Sequence, residues 1–344
     1  MWCSKKLFSS KCIQELSKAL FHTQNGLKTK RVVIGMSGGV DSTVSAHLLK
    51  SKGFEVIGVF LKNWDLVDEQ GICQADKEAE DAEYVCNKLQ IPFRHINFVK
   101  EYWSEVFDKL VKEYEYGWTP NPDIDCNKHI KFGHFFDHAM EHIGCDAVAT
   151  GHYARTSYGD FLEDFNPREN VQLLMALDRV KDQTFFLSQV PQNALRSTMF
   201  PLGHLTKDVV KKIAKTIGFE RIANKKESMG ICFVGKRRSG FQEFLKDYTH
   251  ENPGPIVDIE TYKEIGQHKG CHFWTLGQGV KVPSQKKRSY VCQKDMDSNT
   301  VYVCFGQDHP ALFCENFFTD DPYWLSGRAP EELSNRSKDQ VSRN

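Results

Sequence analysis

From residue 31 to about residue 150 the chain alternates short apolar runs with amphipathic stretches. Val32-Val33-Ile34 lies inside Arg31–Met36, which reads as a strand, and Val40–Ser51 behind it reads as a helix. The same reasoning predicts a strand over Glu55–Leu61, an acidic amphipathic helix over Asp76–Leu89 and a third strand over Phe93–Phe98. A helix over Tyr102–Tyr116 and a short buried strand over Asp146–Thr150 follow. Such alternation implies an α/β fold, a doubly wound parallel sheet with right-handed crossovers. Ligands of these sheets sit beyond the carboxyl ends of the strands. Three segments fall there: Gly35–Ser42, Leu61-Lys62-Asn63 and Gly151-His152-Tyr153.

Beyond about residue 198 the pattern changes. Leu205–Ile217 reads as a basic helix with Thr206 as its N-cap, and Pro253-Gly254-Pro255 as a loop. Cys271–Leu276, Tyr290–Lys294 and Thr300–Phe305 read as strands, the last two as a hairpin around Asp295–Asn299. The tail from Ser334 to Asn344 is polar and reads as disordered.

The chain has 344 residues, 40% of them hydrophobic and 26% charged, which suits two or three globular domains. No stretch reaches the roughly 18 apolar residues of a bilayer span, so no membrane insertion is expected. Net charge is zero but unevenly spread. Residues 64–125 carry 15 acidic against 6 basic side chains, and residues 181–238 carry 12 basic against 4 acidic. A basic face that meets a phosphate backbone and a set of solvated helix faces are both consistent with this. Eleven cysteines include no C-x-x-C pair, which argues against zinc ribbons, disulfide scaffolds and redox motifs of the thioredoxin type. Residues 1–30 are basic, serine-bearing and nearly free of acids, with Ile13, Leu16, Leu20 and Phe21 near helical spacing. That profile is that of a mitochondrial transit peptide, with a disordered basic arm as the alternative.

Three motifs carry chemistry. In Gly35-Met36-Ser37-Gly38-Gly39-Val40-Asp41-Ser42, a strand turns through glycines into a helix, the form of a phosphate cradle. Gly38 and Gly39 let backbone approach phosphate, Ser37 and Ser42 supply hydroxyls, and Asp41 holds Mg²⁺ or orients the loop. In Thr119–Lys128, Cys126 lies near the start of a helix with Lys128 and His129, which favours a thiolate, and Asp123 is placed for acid–base work. A buried structural cysteine with a capping aspartate fits the same residues. In Lys225–Phe233, Cys232 follows a basic loop and fits either a reactive thiol or a core position.

The first motif resembles the pyrophosphate loop of the ATP pyrophosphatase superfamily. Taken with Phe60–Trp64, Thr119–Phe132, Gly151–Arg155, Lys181–Leu187, Phe200–Gly203, Lys225–Gly235 and Thr275–Gln278, the chain resembles the tRNA-specific 2-thiouridylase family. The run Gly71–Lys77 is similar to its organellar, mitochondrial branch.

The resemblance implies an adenine nucleotide alpha hydrolase-like sheet domain over 31–197 plus 221–235. It further implies a smaller central tRNA-binding domain over 198–220 plus 236–289, and the start of an incomplete C-terminal β-barrel over 290–333. It implies an enzyme that uses ATP to adenylate the 2-oxygen of the wobble uridine and replaces that oxygen with persulfide sulfur from a donor protein. Gly35, Met36, Ser37, Gly38, Gly39, Val40, Asp41, Ser42, Leu61 and Gly151 would bind ATP, with Mg²⁺ arriving on its phosphates and no firm protein metal site. Asn121, Pro122 and Asp123 would contact the target base, and His152, Lys181, Asp182 and Gln183 the tRNA. Arg155 and the basic 207–226 segment would add phosphate contacts. Cys232 would carry the persulfide and Cys126 would be its partner. The implied partners are tRNA and a sulfur donor, not DNA, and the implied compartment is mitochondrial.

Two departures from the family pattern stand out: Gly279-Val280-Lys281 follows Gln278 where an arginine is usual, and the chain stops before a full barrel. A catalytically impaired shortened form that still binds tRNA or ATP is therefore one alternative. Another ATP pyrophosphatase ligase, with no need of Cys126 or Cys232, is a second.

Overall fold

The computed structural model describes residues 31–65, 73–226, 240–281 and 288–331. The expected leader at 1–30 and tail at 334–344 lie outside the described residues. The chain divides into two units, one containing 31–102, 123–226 and 323–331, the other 103–122 and 240–322.

The first unit is built on strands β1 (Arg31–Met36), β2 (Glu55–Lys62), β3 (Phe93–Asn97) and β4 (Ala147–Ala149), with β7 (Thr198–Met199) completing the sheet. A two-stranded ribbon, β5 (Arg155–Thr156) and β6 (Leu173–Leu174), intervenes. The sheet order is β3-β2-β1-β4-β7, and all four pairings are parallel. Val32, Val33, Ile34, Ala147, Val148 and Ala149 are wholly buried. Central parallel strands covered on both faces must be apolar throughout, which is why these runs do not alternate. At the edge, β3 exposes Arg94, His95 and Asn97, polar groups that discourage further strand pairing.

Three helices follow close to the expected ranges, α1 (Val40–Ser51), α2 (Gln74–Leu89) and α3 over 99–115; a fourth, α4, runs over 122–143. Val44, Ala46 and Leu49 are wholly buried, and with Val40, Ser42, Thr43 and Ser45 buried too, α1 is covered on most sides. At Gly58 in β2 a Cβ would lie 2.5 Å from the Cys86 sulfur, so α2 packs tightly over that glycine. Pro122 opens α4, where a missing N–H costs nothing, and Gly144 ends it at φ 73°. Between them α4 is wound more loosely over Cys126–His134, with the Phe135 N–H reaching back five residues to the Ile130 carbonyl. Short helices α5 (Gln192–Arg196), α6 (Lys207–Thr216) and α7 (Glu220–Ala223) complete the unit.

The segment 198–220, expected in a central domain, lies in this unit instead: β7 pairs with β4, and α6 packs on α1. Thr206 occupies the N-cap position of α6, but its side chain makes no cap. The Lys207 N–H is taken by Asp178 Oδ2 at 2.9 Å.

In the second unit the sheet order is β10-β11-β12-β8-β9, from Gly279–Val280, Ser289–Asp295, Thr300–Phe305, Gly254–Asp258 and Glu264–His268 respectively. The expected hairpin is β11–β12, with a bulge between Val291 and Gln293. It shares one sheet with 254–268, so the expected boundary at residue 289 falls inside a single layer. Gly254–Pro255 begins β8 rather than forming a loop. Pro255 is tolerated because β12 pairs only from Ile256 onward. The expected strand at Cys271–Leu276 is a single tight helical turn, Cys271–Phe273. Ile256, Cys271, Val280, Val291, Val301 and Val303 form the core under this sheet. Elsewhere in the unit Phe107 of α3 stacks edge-on against Phe244 and Tyr248. That contact explains why α3 from Trp103 onward groups with these residues. α8 (Gly240–Leu245) carries Phe244.

Candidate active site

The sheet order runs outward from β1 to β2 and β3 on one side, and to β4 and β7 on the other. The crevice of such a sheet opens between β1 and β4, where the connections diverge. The loop Gly35–Ser42 leaves β1 there, and Gly151-His152-Tyr153 leaves β4.

Glycines are required at two points. Gly38 sits at φ 66°, and a Cβ on it would lie 2.5 Å from the Glu78 carbonyl and 2.9 Å from Asp81 Cβ. Gly151 would place a Cβ 2.8 Å from the Ser42 nitrogen. The end of β4 thus presses directly on the first turn of α1. Inside the loop the Ser37 N–H donates to Ser42 Oγ at 3.2 Å, and Ser42 and Thr43 hydroxyls donate to the Gly39 carbonyl at 3.2 and 2.8 Å. The N-cap of α1 is Gly39, with no side-chain cap. The first-turn N–H groups of α1 are therefore left without a capping side chain, the arrangement that receives an anion.

Asp41 does not stand open for a metal. Its carboxylate accepts from Tyr153 OH at 2.8 Å and from Lys207 Nζ at 2.8 and 2.7 Å. Of the two roles left open for Asp41, orientation of the loop matches this geometry. Lys207 is a site residue that sequence reasoning missed, because it reads there as one lysine of a solvated basic face. Leu61 and Asn63 lie at the end of β2. The Asn63 Oδ1 atom is buried without a hydrogen-bond partner.

Cys126 lies one turn inside α4 and is buried. Its neighbours fix the helix. Asn127 Nδ2 donates to the Phe186 carbonyl at 2.9 Å, and Lys128 Nζ to Gln189 Oε1 at 3.1 Å. Lys131 Nζ lies 3.4 Å from His152 Nε2. His152, expected at the tRNA, is buried instead against Phe132 and Phe200, with Nδ1 2.8 Å from Thr150 Oγ1. Burial, and then the Lys131 charge, hold its imidazole well below the ordinary value, so it is neutral. Consecutive residues therefore serve two elements: Gly151 backs the phosphate-type loop, and His152 backs the helix of Cys126. Asp123, placed for acid–base work, lies in the opening turn of α4 just after Asn121 and Pro122.

The 178–183 turn is held by its own side chains. Asp182 accepts from the Ala176 N–H at 2.6 Å, and from the Thr184 N–H and hydroxyl at 3.2 and 2.5 Å. Gln183 bonds Tyr153 through both its N–H and its Oε1. Asp178 is kept below the usual carboxylate range, first by the Lys207 N–H and then by those of Lys181 and Val180. Around Lys181 two apolar side chains stand in solvent, Val180 at 91% and Phe185 at 66% exposure. Arg155 is drawn inward to the Met175 carbonyl and His204.

Cys232 lies outside the described residues, so its distance from Cys126 is not part of this geometry. The described chain before it ends at Lys226. Arg221 and Lys225 in that stretch are bound to Asp81 at 2.5 and 2.7 Å, beside Gly38. Among the described residues no group of three His, Cys, Asp or Glu side chains could hold a metal ion, and no helix is long and apolar enough to cross a membrane.

Residues 30–236 match the family model described as tRNA methyl transferase HUP domain, and residues 242–305 the one described as tRNA methyl transferase PRC-barrel domain. The mitochondrial tRNA-specific 2-thiouridylase 1 of Drosophila melanogaster is 48% identical over 305 residues, covering 89% of this chain and 78% of the fly protein. The Homo sapiens protein of that name is 49% identical over 319 residues, covering 88% of this chain and 75% of its own length. A probable counterpart in Caenorhabditis elegans is 46% identical over 301 residues, covering 86% of this chain and 80% of that protein.

Proposed function

The chain belongs to the mitochondrial tRNA-specific 2-thiouridylase family, and from that premise we propose that it is an ATP-dependent sulfurtransferase acting on the wobble uridine of mitochondrial tRNAs. The observation that carries the reading is the pairing of Gly151 and His152, which seats a phosphate-type loop and a cysteine helix at one strand end.

ATP supplies an activated phosphorus at which the uridine 2-oxygen displaces pyrophosphate. The α1 N-terminus, with Ser37, Gly38, Gly39 and Ser42, cradles the polyphosphate, and Mg²⁺ enters with it. Gly35, Met36, Val40 and Gly151 shape the cradle's backbone, and Leu61 packs beside the adenine. The buried, unpartnered Asn63 Oδ1 is an acceptor of the kind an exocyclic amine donates to. The uridine must leave the anticodon stack, at a cost of a few kcal/mol. Asn121, Pro122 and Asp123 receive it. With Asp182 and Gln183 occupied in bracing their turn, Lys181, Val180 and Phe185 form the face offered to RNA. Exposed aromatic side chains stack on splayed bases.

Cys232 brings in the sulfur as a persulfide obtained from a donor protein. On one route its terminal sulfur attacks the activated carbon, AMP departs, and the Cys126 thiolate then attacks Cys232 Sγ, breaking the S–S bond and freeing the thiouridine. On the other, Cys126 first attacks Cys232 Sγ to free hydrosulfide, which attacks the carbon and displaces AMP. Both routes leave a Cys126–Cys232 disulfide, so a reductant must return the pair to thiols each cycle. The family models speak of methyl transfer. The loop supports phosphate chemistry instead, since a sulfonium methyl donor brings no polyphosphate for an uncapped helix N-terminus to hold. The test is stoichiometric release of AMP and pyrophosphate from ATP on adding mitochondrial tRNA. Release of ADP, or no tRNA dependence, contradicts the reading.

A further inference from the structure

Two segments distant in sequence converge on Asp41. Lys207, 166 residues away, places its ammonium against both carboxylate oxygens, and only 8% of that residue is exposed. An ammonium so far removed from water is costly unless paired, which sets this contact apart from an ordinary surface ion pair. Tyr153 adds its hydroxyl at 2.8 Å. Both clamping residues are in turn fixed by the same turn. Asp178 Oδ2 accepts from the Lys207 N–H at 2.9 Å, while its Oδ1 accepts from Val180 and Lys181 at 3.1 and 3.2 Å. Gln183 donates its N–H to the Tyr153 carbonyl at 2.9 Å, and its Oε1 accepts from the Tyr153 N–H at 3.0 Å.

The position of the charge matters. Asp41 is in the first turn of α1, where its carboxylate favours the bare helix but repels an incoming polyphosphate. An ammonium bound across that carboxylate cancels the repulsion and holds the turn in place. We propose that Lys207 is a positioning residue for ATP activation: it neutralises and fixes Asp41, and through Asp178 it ties the phosphate loop to the 178–183 turn. This rests on the ATP-dependent reading above, and deepens it by joining the nucleotide loop mechanically to the turn offered to RNA.

The experiment is calorimetric titration of the full chain with α,β-methylene-ATP and Mg²⁺, paired with filter binding of tRNA without nucleotide. Lys207→Gln is expected to weaken analogue binding by about tenfold or more, while tRNA binding stays within about twofold. Lys207→Arg, which keeps the cation, is expected to recover most of the loss. Tyr153→Phe removes one hydroxyl and is expected to weaken the analogue several-fold; it reads the clamp even if Lys207→Gln fails to fold. Analogue binding by Lys207→Gln or, failing that, Tyr153→Phe at the unmutated level overturns the inference, as does a Lys207→Arg no better than Lys207→Gln. Analogue binding needs no sulfur transfer. A chain that binds the analogue with these effects yet thiolates no tRNA contradicts the proposed function and leaves the Lys207 role standing.

Discussion

Gly151 at the end of β4 lies so close to Ser42 in α1 that a Cβ there would stand 2.8 Å from the Ser42 nitrogen and 3.0 Å from the Asp41 carbonyl carbon. Both of those atoms are backbone and cannot swing aside. Gly151→Ala should therefore push α1 off the strand end. We expect destabilisation of about 1–3 kcal/mol, in the range of overpacked sites, together with loss of nucleotide binding. Thermal melts with and without ATP check this: the melting temperature should drop, and the ATP-induced rise should disappear.

Gly38→Ala should act through strain as well as contact. The residue sits at φ 66° and faces the Glu78 carbonyl of α2. A left-handed alanine costs about 1–2 kcal/mol before any clash is counted. The expected result is a folded chain with ATP binding weakened by at least an order of magnitude, measured by calorimetry.

His152 gives a pH prediction. Its folded-state imidazole titrates well below 6.5, the value it regains on unfolding. Below about pH 6.5 the unfolded chain binds a proton that the folded chain refuses, so stability falls as pH drops. The slope is about 1.4 kcal/mol per pH unit until the folded value is reached. Replacing His152 with Asn removes this contribution. The stability gap between the unmutated chain and the variant should be widest near about pH 7.5 and narrow toward about pH 5, as read by urea unfolding. His47, His268 and His272 shift in the same direction and cancel in the difference. A gap constant with pH contradicts a buried neutral His152.

Phe185→Ala separates RNA contact from nucleotide contact. Base stacking on an aromatic is worth about 1–3 kcal/mol, so tRNA affinity should fall by roughly five- to 150-fold. Its ring packs edge-on against Phe186 and is otherwise largely in solvent, so the melting temperature should hardly move. Equal tRNA binding by variant and unmutated chain would remove this face from the proposed interface.

The β1 loop was legible because its signals are local: a buried parallel strand, two glycines and a helix start within twelve residues of chain. The Lys207 clamp was not. Its partner is 166 residues away, and nothing in Lys207 through Lys215 distinguishes the one lysine that turns inward. Cys271–Leu276 shows the limit of periodicity. All of Cys271, His272 and Phe273 are buried, and a short apolar run reads alike as strand or as tight turn. Resemblance places His152 at the RNA, but its neighbours Phe132 and Phe200 come from segments that only the folded sheet brings together. The resemblance assigns Asp182 and Gln183 to RNA as well, and their polar atoms close hydrogen bonds within the protein.

The proposed function puts ATP activation and a sulfur-relaying cysteine at one strand end. The most direct measurement is 2-thiouridine formed on mitochondrial tRNA when the chain is given ATP, Mg²⁺ and a persulfide donor, with Cys126→Ser and Cys232→Ser run alongside. The account predicts thiolation by the unmutated chain with AMP and pyrophosphate released, and none by either variant. Normal thiolation by both variants would contradict it.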